Sequence, residues 1–136
     1  MQHHLITTQQ AQAVIAAAEA KAAQLGVPVN VAILDAGTHL KAFDRMDGAV
    51  LGSIDVSIGK ARTAILFDAR SEIVWDYCKP GAQAPGLEHT NGGLVPFGGG
   101  IPLRGRDGRT LGAVGVSGGA VAQDVEIAEA AAAAFA

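Results

Sequence analysis

The chain has 136 residues, 49% of them hydrophobic, with 10 Lys and Arg against 13 Asp and Glu for a net charge of -3. That length suits one self-sufficient core spanning residues 1–136, and the charge offers no basic field for nucleic acid. A single cysteine, Cys78, excludes an internal disulfide framework, and the alanine-rich stretches are interrupted by Glu, Lys, Gln and Asp before they reach the roughly 20 residues of a membrane span. The polar start MQHHLITTQQ lacks the apolar centre of a signal peptide, so a cytoplasmic protein is expected.

Thr7-Thr8-Gln9-Gln10 has the pattern of a capping box, with Thr7 at the N-cap. A helix follows, its stripe formed by Ala11, Val14, Ile15, Ala18, Ala22 and Leu25, and Gly26 and Pro28 end it. Val29 to Asp35 and His39 to Arg45 flank the turn Asp35-Ala36-Gly37-Thr38 and read as an antiparallel hairpin. In its second strand His39, Lys41, Phe43 and Arg45 share one face. After the Met46-Asp47-Gly48 turn, Ile54, Ile58, Ala61 and Ile65 mark a helix over Ser53 to Phe67, slightly weakened by Gly59. Ser71 to Cys78 predicts a short helix stopped by Lys79-Pro80-Gly81, and the segment onward to Gly93 has no periodicity and reads as a surface loop.

Ile101 to Arg104 and Thr110 to Val116 form a second hairpin around Arg106-Asp107-Gly108-Arg109. The returning strand is apolar or small throughout, which suits the centre of a sheet covered on both faces. Ser117-Gly118-Gly119 then leads into a last helix with Val121, Val125, Ala128, Ala132 and Phe135 on its expected buried stripe. Hairpin turns this short forbid parallel crossovers, so the fold class is α+β with a mainly antiparallel sheet.

Three stretches carry a family resemblance: VAILDAGTHLKAFDRMDGA from Val31, IDVSIGKARTAILF from Ile54, and GGGIPLRGRDGRTLGAVGVSGGAVAQD from Gly98. Together they match the D-x-G-x-H-L, R-M-D-G-A, G-K-A-x-T-A, G-G-x-P and G-x-V-G-V-S-G-G-x-x-x-Q-D pattern of the HbpS, GlcG and PduO C-terminal family. The chain resembles that family over most of its length, and Trp75 to Leu94 is the least typical segment. The resemblance implies a profilin-like three-layer α/β/α fold with a five-stranded sheet, assembly into homo-oligomers, often octamers, and haem binding in some relatives. One relative degrades haem and passes a redox signal to a partner. Fold is implied more firmly than chemistry.

The resemblance makes haem, or a similar small anionic ligand, the leading expected cofactor, which requires an apolar slot, an axial donor and cations for the propionates. His39, beside Lys41 and Arg45 on one strand face, is one candidate iron ligand, and His89 in the divergent loop is the other. His3 and His4 sit near a chain end, where metal pickup would be incidental. Ser117, Gly118 and Gly119 either present N–H groups to an anion or only let strand and helix meet closely. Lys60, set in an otherwise apolar helix, either faces a ligand or pairs with a carboxylate such as Asp47 or Asp124. Arg45 and Asp47 flank a turn, where they can pair with each other. Met46 and Cys78 read as packing residues rather than ligands, and Arg104, Arg106 and Arg109 as a solvated face. The alternative is a small-acid enzyme, a tautomerase, isomerase or hydratase, with Asp35, His39 or Lys60 moving a proton. A third reading is a scaffold subunit whose small-residue helix faces pack between chains.

Overall fold

The computed structural model describes residues 5–136, and its first element begins at the anticipated cap. Thr7 Oγ1 accepts from the Gln10 N–H at 3.0 Å, and Gln10 Oε1 accepts from the Thr7 N–H at 2.9 Å. These bonds satisfy donors left free at a helix start. Helix α1 (Thr8–Leu25) then runs to Gly26, whose φ of 71° closes it.

Strands β1 (Asn30–Asp35) and β2 (Leu40–Arg45) follow, then α2 (Ser53–Phe67), α3 (Ser71–Cys78), a short 3-10 turn over Leu87–His89, β3 (Gly100–Arg104), β4 (Thr110–Ser117) and α4 (Val121–Ala133). The sheet order is β2-β1-β4-β3, antiparallel throughout, with β4 and β1 at the centre. Among the described residues the sheet has four strands in place of the expected five. The long segment between α3 and β3 forms no strand, as Pro80, Pro85 and Pro96 lack the N–H a ladder needs and Gly81, Gly86, Gly92 and Gly93 take positive φ.

Alternation along the central strands divides the molecule into layers. Val31, Ile33, Val114, Val116 and Leu103 point to one side and pack with Ala11, Val14, Ala18, Ile127 and Ala128 of α1 and α4. Leu34 and Ala113 point to the other side, against Ala61 and Ala64 of α2. On that second face the helix lies almost on the strand backbone. A Cβ on Gly115 would come 1.9 Å from the Ser57 carbonyl oxygen, and one on Gly100 would come 2.2 Å from the Lys60 carbonyl oxygen.

This close approach revises the buried stripe of α2. The buried residues are Ser57, Lys60, Ala61, Thr63 and Ala64: small groups fit between backbone and backbone, Lys60 runs inward to Asp124, and Ile54, Ile58 and Ile65 are only partly buried. The stripe of α4 is also rotated from the expected one. Asp124, Ile127, Ala128 and Ala131 are buried and Val121 is exposed, since Asp124 turns inward to a charged partner. Among the described residues, no helix is long and apolar enough to cross a membrane.

Candidate functional site

Lys60 is fully buried, and its ammonium answers to groups within the protein. Nζ donates to the Val116 carbonyl at 2.8 Å and to Asp124 Oδ2 at 3.2 Å. The other carboxylate oxygen of Asp124, Oδ1, accepts from the Gly119 N–H at 2.9 Å. The Phe97 ring closes over the ammonium, its centroid 5.1 Å from Nζ. Burial pulls the lysine below its ordinary value while Asp124 pulls it back up. At the Ser117–Gly119 turn the Gly119 N–H is thus taken by the chain's own Asp124 carboxylate. Gly118, at φ 146°, serves the close approach of β4 to Pro28 and Val29.

The histidines lie at opposite edges of the sheet. His39 sits at the tip of the β1–β2 hairpin with its side chain 81% exposed and Nδ1 3.4 Å from Asp35 Oδ1. That same Asp35 oxygen accepts from the Gly37 and His39 N–H groups, so the carboxylate organises the turn. Lys41 and Arg45 are exposed along edge strand β2. His89 ends the 3-10 turn beyond α3, near the opposite edge, and is also exposed. His3 and His4 lie outside the described residues. Met46 packs against the α1–α4 core. Asp47 is exposed, and Arg104 pairs with Asp68 at 2.7 Å. Burial, with the Glu88 carboxyl beside it, pushes the Cys78 thiol up, away from the reactive thiolate.

An apolar concavity lies beside the Lys60 lock, at residues to which the sequence analysis gave no ligand role. Trp75, Pro96, Phe97 and Val121 line a groove of about 520 Å³, with Gly98 in its wall and Glu72 and Glu88 at its margin. Trp75, Phe97 and Val121 are 44%, 43% and 47% exposed, an unusual density of uncovered apolar surface. Gly98 lets this wall pack closely on α4, since a Cβ there would press on the Val125 side chain. On the other flank of α3, Phe67, Ile73, Tyr77 and Leu87 line a second hollow of about 260 Å³. Of the groove residues only Trp75 and Glu88 fall in the atypical Trp75 to Leu94 segment, so that departure from the family pattern is the one sequence signal pointing toward the groove. Among the described residues, no group of three or more His, Cys, Asp or Glu is placed to hold a metal ion.

Comparison with known proteins accounts for this architecture. Residues 6–133 match the family model described as haem degrading protein HbpS-like. The chain is 42% identical over 125 residues to a 15.0 kDa protein in the dhaT-dhaS intergenic region of Citrobacter freundii, covering 91% of this chain and 87% of that one. It is 45% identical over 121 residues to the corrinoid adenosyltransferase PduO of Salmonella typhimurium, covering 88% of this chain but only 35% of that protein. The crystal structure of a PduOC:heme complex superposes with a TM-score of 0.89 at 39% identity, covering 96% of this chain and 94% of that one. With its four helices packed around a four-stranded antiparallel sheet, the chain belongs to the HbpS-like family.

Proposed function

We propose that this is a cytoplasmic, self-assembling protein that binds haem or a flat, haem-like ligand in the groove between Trp75, Phe97 and Val121. The observation that carries the reading is that groove, an open slot lined by Trp75, Phe97, Pro96 and Val121, in a chain similar to one solved as a PduOC:heme complex. Trp75 and Phe97 offer aromatic faces to a macrocycle, and Pro96 and Val121 exclude water from its edge. His89, adjoining the groove residue Glu88 in sequence, would be the residue to hold the haem iron through its imidazole. Glu72 and Glu88 would disfavour propionate charge against the groove wall. When bound, haem supplies a redox-active iron and the conjugated ring that the family name describes as degraded.

Haem titration tests this directly. A Soret shift saturating at a fixed haem-to-chain ratio is expected, together with quenching of Trp75, the chain's single tryptophan. His89→Ala should remove the shift and His39→Ala should leave it. Loss in His39→Ala alone would move the site to the β2 edge, and no change in either variant would end the claim of histidine ligation. Slow bleaching of the Soret band with reductant and dioxygen would mark degradation rather than storage.

A further inference from the structure

We propose a second ligand site, distinct from the aromatic groove, that takes a small monocarboxylic acid bearing a hydrogen-bond donor. It lies between the outer face of α2 and the turn over residues 91–93, in a cavity of about 480 Å³. Arg62 is its cation. The only side-chain hydrogen bond that Arg62 makes among the described residues is from Nη1 to the Gly93 carbonyl, at a long 3.5 Å. A half-buried guanidinium with no carboxylate beside it is a fork of donors awaiting a planar acceptor.

The opposite wall is open backbone. Asn91, Gly92 and Gly93 take φ values of 55°, 74° and 107°, and a Cβ on either glycine would meet nothing within 4 Å. The Gly93 N–H is used by the Thr90 carbonyl, whereas those of Asn91 and Gly92 make no hydrogen bond among the described residues. Ile58 and Leu94 provide hydrocarbon contact. Asp55 lines the same cavity seven residues before Arg62, two turns away on one face of α2.

These groups select the ligand. A single guanidinium matches one carboxylate in charge and plane, whereas a phosphate dianion would meet repulsion from Asp55 with only one cation to offset it. Asp55 is left to accept a hydrogen bond from a hydroxyl or amino group on the acid. The site stands independently of haem binding, because none of the residues that line the groove takes part.

The experiment is a titration of the full chain followed by proton–nitrogen NMR, with 3-hydroxybutyrate, butyrate and inorganic phosphate as probes. Saturable shifts of the Asn91 and Gly92 amides and of the Arg62 Nε–H are expected with 3-hydroxybutyrate. Butyrate should bind several-fold more weakly and phosphate should not bind. Arg62→Met should abolish the response. Arg62→Lys, which keeps the charge but loses the fork, should weaken it about tenfold and covers the case in which the methionine variant fails to fold. Asp55→Asn should reduce the preference for 3-hydroxybutyrate over butyrate. Phosphate binding as well as the carboxylates, an unaltered response in either Arg62 variant, or shifts confined to other residues would overturn the proposal.

Discussion

Lys60 Nζ, reaching from the helix on one face of the sheet, lies 3.2 Å from Asp124 Oδ2, on a helix of the opposite face. The pair closes around the C-terminal end of β4, where the Val116 carbonyl and Gly119 N–H complete its hydrogen bonds. Removing one partner leaves a buried charge unanswered. Lys60→Met and Asp124→Asn should each cost about 3 to 5 kcal/mol in denaturant unfolding, and the double variant should cost less than their sum. Additive losses would show that the two groups act separately.

Glu19 on α1 meets Asp44 on β2, and the shared hydrogen bond, with burial, raises the Glu19 pKa to about 7. The unfolded chain returns it to an ordinary 4.5. Between these values the folded state holds more protons than the unfolded one, so stability contributed by the pair is full below pH 4.5 and lost as pH rises through 7. Glu19→Gln should flatten this slope in melting temperatures recorded from pH 5 to pH 8. An unchanged slope would assign the effect to other groups.

Gly115→Ala should be among the most damaging single changes in the chain. Its new methyl would press on the Ser57 carbonyl of α2, backbone against backbone, with no side chain free to yield. Overpacking of this kind costs roughly 1 to 3 kcal/mol and more where nothing relaxes. Gly108→Ala, at a turn with open space and φ 82°, is strained only in its own backbone and should cost about 1 kcal/mol. Calorimetric melting of the two variants should rank them in that order.

Ile73, Trp75 and Tyr77 expose apolar surface on α3 that a lone 13.7 kDa chain would leave in water. Sedimentation should show a species several times that mass, and Ile73→Glu should shift it toward the monomer without unfolding the sheet. A monomer at micromolar concentration in the unaltered chain would refute self-assembly.

Hairpins, caps and helix ends were readable from the sequence because local rules govern them. The Thr7 box, the Asp-Gly turn and the breaks at Gly26 and Pro80 depend on residues a few positions apart. The buried faces of α2 and α4 are less readable, since apolar spacing cannot reveal that strand glycines admit one helix to backbone contact, and the sequence offers both Asp47 and Asp124 to Lys60, of which the fold selects Asp124, 64 positions away. The fifth strand came from family likeness and not from any strand pattern in this chain. The aromatic groove was hidden for a related reason: Trp75, Phe97 and Val121 lie on three separate segments, and only the fold draws them together.

Phe97 has a further consequence through its position. One ring both lines the open groove and screens the buried Lys60 charge, so the ligand cavity and the interior share a wall a single aromatic thick. A guest stacked on that ring would dry the far side of the ammonium's cover and tighten the bond between the two helical layers. Occupancy of the groove should therefore register as added resistance to heating, and Phe97→Leu should uncouple the two.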